Sequence, residues 1–158
     1  MNALVVYDSL YGNTERIARA IGDALVDKAG DKARVVRPGG MDADDVEAVD
    51  LLVIGSPTHG GRPTEAIQGL LDGLEGTLPA DTRVAAFDTR MATRLVAIFG
   101  YAARRIGRAL EEAGGTLVAP PEGFVVKGKE GPLKDGELER AADWAKGLLG
   151  SSSGEGEA

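Results

Sequence analysis

Between an apolar run and a helical pattern lie seven residues, Asp8-Ser9-Leu10-Tyr11-Gly12-Asn13-Thr14. They combine hydroxyls, an amide and a glycine, and they contain no Lys or Arg. A loop that enters a helix N-terminus presents unpaired backbone N–H groups and a partial positive charge. Ser9, Asn13 and Thr14 add side-chain donors, and Gly12 lets the backbone approach a ligand closely. Hydrogen bonds to a charged group contribute roughly 1.5–3 kcal/mol each, so neutral donors suffice to hold a phosphate monoester that stays bound. Asn13 or Thr14 taken singly could serve only as a helix cap. The whole stretch, set behind a buried strand, points to phosphate. Other phosphate loops fail on residues: there is no GxGxxG and no GK[ST]. A phosphatase of similar topology needs a Cys here, and a receiver domain needs an acceptor Asp where this chain has Ser56.

Two further polar stretches could meet that loop. One is Ser56-Pro57-Thr58-His59-Gly60-Gly61-Arg62-Pro63-Thr64, which holds the single histidine. The other is Asp88-Thr89-Arg90-Met91 with Ala92, Thr93 and Arg94. Beyond His59 no general base or nucleophile is evident, so the chemistry is expected to belong to a bound group.

The elements that must position these loops alternate between two periodicities. Ala3–Tyr7, Ala33–Val36, Asp50–Gly55, Arg83–Phe87 and a broken fifth strand (Thr116–Val118, then Gly123–Val126 after Pro120-Pro121) read as buried parallel strands. Asn13–Lys28, Glu65–Leu74, Phe99–Ala113 and Leu133–Leu149 read as amphipathic helices, with a short acidic helix at Asp42–Ala48. Strands alternating with helices imply βαβ crossovers, hence an α/β fold with helices on both faces of a parallel sheet. In the strand order 2-1-3-4-5 the three polar loops converge at the carboxyl ends of the first, third and fourth strands. Residues 1–149 are expected to form one domain, and 150–158, small and polar, a disordered tail.

Composition narrows the function. The 158 residues suit one domain with a real core. A net charge of −7 argues against nucleic acid and for basic protein partners, with Asp42, Asp44, Asp45 and Glu47 among the acids. Without Cys there are no disulfides, thiolate nucleophiles or iron–sulfur clusters. MNALVVYDS is no signal peptide, and no apolar run approaches the roughly 20 residues of a membrane span, so a cytoplasmic protein is expected. Trp144, beside Ala141, Ala145 and Leu148, reads as core.

The run VVYDSLYGNTERIARAI (Val5–Ile21) resembles the FMN-binding signature of the flavodoxin family. Length, element order and the three loops agree along the whole ordered chain. The resemblance implies a flavodoxin-like three-layer sandwich on a five-stranded parallel sheet of order 2-1-3-4-5. It implies FMN as cofactor, its phosphate held by Ser9, Leu10, Tyr11, Gly12, Asn13 and Thr14, largely through backbone N–H. Ser56, Pro57, Thr58, His59, Gly60 and Gly61 would then bracket the flavin from one side, and Asp88, Thr89, Arg90 and Met91 from the other. The Thr58–Gly61 stretch would hold the peptide that turns over with redox state.

The chain departs from the family pattern in three ways. Tyr11 stands where many members carry Ser or Thr. His59, and Met91 or Arg90, stand where flanking aromatics are common, which predicts weaker flavin stacking. Arg62, Arg90 and Arg94 stand where acidic groups are usual, which predicts a less negative lower potential. The function implied is an FMN-binding, one-electron carrier that docks redox proteins through their basic faces; the sequence leaves its oligomeric state open, with a monomer slightly favoured. A carrier is expected over a stand-alone enzyme, with no catalytic residues and no metal of its own. The alternative is an FMN-dependent NAD(P)H:quinone oxidoreductase of the same fold, although the extra segments such enzymes use are not seen between Ala86 and Gly115. Weaker alternatives are a menaquinone-linked protoporphyrinogen dehydrogenase and a partner-binding protein that holds flavin poorly.

Overall fold

A computed structural model describes residues 1–92 and 101–157. Strands β1 (Asn2–Tyr7), β2 (Lys32–Val36), β3 (Leu51–Pro57), β4 (Arg83–Met91), β5 (Thr116–Leu117) and β6 (Glu122–Val126) form one sheet. Its order is β2-β1-β3-β4-β5, with β6 also paired to β4, and every pairing is parallel. The helices are α1 (Asn13–Leu25), α2 (Glu65–Leu74), α3 (Ala102–Glu112) and α4 (Glu137–Glu157). This is the α/β sandwich and the strand order that the sequence implies. The fifth strand is broken as expected: β5 lies beside Arg83–Val84 and β6 beside Phe87–Met91, with Pro120-Pro121 in the gap.

The sheet's alternation divides the core in two. Ala3, Val5, Tyr7, Leu51, Val53, Ala85 and Phe87 point to one face, where Ile17, Ile21 and Leu25 of α1 and Ala141, Ala145 and Leu148 of α4 cover them. Leu4, Val6, Leu52, Ile54, Val84 and Ala86 point to the other, against Ile67 and Leu71 of α2 and Ile106 and Leu110 of α3. Burial on both faces explains why β1 and β3 read as unbroken apolar runs. Trp144 is partly buried in the first core, edge-on to Phe87 and Phe124 at 6.3 and 6.0 Å between ring centres.

Several expectations need correction. Asp88–Met91 is strand, not loop: β4 continues because β6 supplies a partner through Met91↔Val126. Residues 42–48 form only a 3-10 turn, Ala43–Val46, closed by a capping box between Asp42 and Asp45. Leu133 precedes the last helix and bridges to Val126, so α4 begins at Glu137. That helix is assigned from Glu137 to Glu157. The expected start of the third long helix, Phe99, and Thr93 and Arg94 lie outside the described residues. Among the described residues no helix is long and apolar enough to cross a membrane, and no cluster of His, Cys, Asp or Glu could hold a metal ion.

Candidate functional site

Register places the three stretches side by side. Tyr7 lies opposite Gly55, and Gly55 opposite Phe87, so β1, β3 and β4 end on a common edge. One cleft there is lined by Ser9, Leu10, Tyr11, Asn13 and Thr14 from the first stretch, Pro57, Thr58 and His59 from the second, and Thr89, Arg90 and Met91 from the third. Val126 and Lys129 complete it.

The first stretch is shaped for an anion. Gly12 precedes α1 in the left-handed region, φ 91°, where a side chain would be strained. Ser9 Oγ accepts the N–H groups of Gly12 (3.1 Å) and Glu15 (3.2 Å), which curls the loop around it. The N–H groups of Leu10, Tyr11, Asn13 and Thr14 have no partner among the described residues. Asn13 and Thr14 carry first-turn amides that no intrahelical acceptor can reach, and with no side-chain cap on α1 they join the N–H groups of Leu10 and Tyr11 as a set of free donors. Thr14 is buried, and its hydroxyl shares a 2.8 Å hydrogen bond with that of Thr89, which locks the first stretch to the third. Asn13 Nδ2 donates to the Glu130 carbonyl at 3.1 Å and ties the loop to the segment after β6. Leu10 and Tyr11 stand exposed at the rim.

The second stretch is a tight hairpin. His59 and Arg62 exchange two backbone hydrogen bonds of 2.9 Å, with Gly60 (φ 55°) and Gly61 (φ 79°) between them. Positive φ at both central positions is the signature of a type I′ turn, which the Gly-Gly pair supplies. Thr58 N–H donates to the Thr89 carbonyl at 2.9 Å, so hairpin and β4 move together. Ser56 is not brought to the cleft: fully buried, its hydroxyl donates to Pro57 O and accepts from Thr64 N–H, stapling the ends of the loop. Gly12, Gly60, Gly61 and Asp88 also stand back from the lining. His59 is exposed at the mouth.

Asp88 and Arg90 form a unit. Both Asp88 oxygens accept from Arg90, at 2.7 and 2.8 Å, and Oδ2 also accepts the Ala103 N–H at 2.8 Å. Burial pushes the Asp88 carboxyl above its usual range, while Arg90, Ala103 and Thr58 pull against it. Protonation would have to break one of these bonds, so the pair stands as an ion pair. The guanidinium lies over the Tyr101 ring, 3.4 Å from its centre, and a Cβ at Gly123 would collide with it from the other side. Arg90 is therefore a clamped and neutralised cation. Of the three loop arginines, Arg90 pairs with Asp88 and so offers no free charge; Arg62 is exposed, and Arg94 lies outside the described residues. Tyr101 is covered on one face by Arg90.

Sequence reasoning missed Arg37. It follows β2, and the register Val6↔Val36 sets it beside the first stretch. There it donates to Asp8 (3.1 Å) and to the Ser9 carbonyl (3.3 Å), and lies over Tyr7. Lys129 and Val126 were missed as well. Only strand pairing could have placed any of them.

A family model described as Flavodoxin matches residues 5–144. Among solved structures, a flavodoxin from the domain Archaea superposes with a TM-score of 0.78 at 23% identity, covering 97% of this chain and 98% of that one. Oxidised flavodoxin 2 from Bacillus cereus gives 0.74 at 27% identity, covering 94% and 98%. Rubredoxin oxygen:oxidoreductase from Desulfovibrio gigas gives 0.77 at 19% identity; the match spans 96% of this chain but 36% of that one. No curated protein matches the sequence.

Proposed function

The chain belongs to the flavodoxin family, whose members bind FMN and carry electrons, and from that premise we propose that it is a one-electron carrier whose FMN lies in the cleft at the ends of β1, β3 and β4. One observation carries the reading: the four unpartnered amides of Leu10, Tyr11, Asn13 and Thr14 open on the same cleft as His59 and Met91. The donor set fits a phosphate monoester, being neutral, convergent and at a helix N-terminus. Ser9 would hold the loop in shape, Gly12 would admit the phosphate, and Asn13 and Thr14 would fix the loop to its neighbours.

Bound FMN supplies the redox chemistry; the residues decide how it is held. Pro57, Thr58 and His59 would border the ring system on one side, and Thr89, Arg90 and Met91 on the other. The Gly60-Gly61 turn supports the idea of a peptide that changes orientation with redox state, because glycine tolerates both turn hands. The Asp88–Arg90 pair would present little net charge to the flavin. Redox proteins are the partners expected of the family. The exposed acids Asp42, Asp44 and Glu47 favour a basic partner at that corner of the molecule.

The test is a visible spectrum followed by stepwise anaerobic reduction, with and without NAD(P)H. A flavin spectrum, a two-stage titration and no direct oxidation of NAD(P)H support the carrier. Rapid two-electron bleaching by NAD(P)H and reoxidation by a quinone would instead make the chain an FMN-dependent NAD(P)H:quinone oxidoreductase.

A further inference from the structure

Charge is not spread evenly over this acidic chain. Arg19, Arg34, Arg37, Arg90 and Arg140 each sit in an ion pair with a carboxylate. Arg16 on α1 and Arg62, Arg104, Arg105 and Arg108 are exposed and have no carboxylate partner among the described residues, and the last four are grouped. Arg104 and Arg105 are consecutive on α3, and Arg108 lies one turn beyond both. Arg105 Nε donates to the Gly61 carbonyl at 3.0 Å, which joins that helix face to the hairpin bearing Arg62. The hairpin is the one whose His59 lines the cleft.

The arrangement opposes local stability. A helix dipole favours acids in the first turn and bases in the last. α3 has the reverse, with Arg104 and Arg105 near its start and Glu111 and Glu112 at its end. Arg105 is spent on holding the hairpin, while Arg104 and Arg108 neither pair with a carboxylate among the described residues nor complement the dipole.

We propose that the arginine face of α3 and the 59–62 hairpin dock the carboxylate-rich face of a redox protein. The surface stands on an exposed helix and a turn, beside the mouth of the cleft, and four uncompensated cations in a chain of net charge −7 make it the complement of an acidic partner. The acids at 42–47 lie elsewhere and would serve a basic partner, so donor and acceptor could use different faces. The location of this surface rests on the carrier reading; its charge does not.

The test uses the FMN-loaded protein and fluorescein-labelled deca-glutamate, read by anisotropy at about 20 and about 200 mM salt. Binding at low salt that is lost at high salt is expected. Arg104→Gln/Arg108→Gln should weaken it about tenfold, the size of two exposed ion pairs, and Lys134→Gln/Lys146→Gln should leave it unchanged. In stopped flow, reoxidation by ferricyanide should slow as salt rises and lose that slope in the arginine variant. No binding at low salt, equal loss in the lysine control, or a ferricyanide rate that rises with salt as the net charge alone dictates would each overturn the proposal. Tighter binding of poly-dT through the same arginines would overturn it in favour of a nucleic acid. Binding by these residues in a protein without one-electron chemistry would keep the surface and remove the carrier.

Discussion

Replacing Arg90 with Gln isolates the energetics of the buried pair. Asp88 is 0% exposed, and both of its oxygens depend on Arg90. Removing one partner of a buried pair costs about 3–5 kcal/mol, because the other charge is stranded. Asp88 can escape by taking a proton. From an unfolded carboxyl value of about 3.9, neutralising it at pH 7 costs about 4.2 kcal/mol, at about 1.36 kcal/mol per unit. At pH 5 the same step costs about 1.5 kcal/mol. In the variant the folded carboxyl titrates far above the unfolded one. The protonated form is then favoured below the unfolded value, and stability is lost progressively as pH rises. Urea unfolding of Arg90→Gln should therefore show a deficit near 4 kcal/mol at pH 7 that shrinks toward about 1.5 at pH 5. At neutral pH that corresponds to a melting point lower by about 8–16 °C in a domain of this size. Asp88→Asn/Arg90→Gln should recover most of the loss, since no charge remains buried. A deficit that does not change between pH 7 and pH 5, or a double variant as unstable as the single one, would refute the stranded-carboxylate account.

Four further outcomes are expected. Gly12→Ala forces an alanine into the left-handed region, at roughly 1–2 kcal/mol, and should lower both apoprotein stability in urea and FMN affinity by flavin-fluorescence titration. Thr89→Val strands the buried Thr14 hydroxyl and should cost about 1–3 kcal/mol, most of which Thr14→Val/Thr89→Val restores. Glu137 is held below its ordinary value chiefly by Arg140, with the Val125 N–H at 2.6 Å assisting. Its contribution is present above the unfolded value near 4.5 and disappears as pH falls through the folded one, so the stability gap between wild type and Glu137→Gln should close in acid. Arg104→Gln removes a charge opposed to the α3 dipole and should raise stability by about 0.3–1 kcal/mol, seen as a higher melting temperature by circular dichroism.

The fold was legible wherever one signal dominated. β1, β3 and their flanking helices announce themselves by apolar runs and helical spacing, and the stretch from Asp8 to Thr14 announces its anion cradle by composition. The reading failed where tertiary partners override local character. Asp-Thr-Arg looks like a loop, yet it is strand because β6 pairs with it and because Arg90 compensates a buried Asp88. The bonds that the Ser56 hydroxyl makes within its own loop are likewise visible only in the fold. Arg37 enters the site only through β1–β2 register, which no local pattern encodes. The arginine face of α3 shows in the sequence as three basic residues, but its isolation from carboxylates shows only in three dimensions.

The break in the fifth strand has a consequence for solubility. Between Val84↔Leu117 and Phe87↔Glu122 the outer strand carries two more residues than β4, and Pro120-Pro121 fill the excess. Proline offers no N–H, and Pro121 is turned inward against Gly107 of α3. A second molecule arriving at this margin therefore meets an interrupted ladder in place of a continuous row of donors and acceptors. Natural sheets guard their open edges with such interruptions. The sheet is thus guarded, along this margin, against stacking strand to strand with its own copies.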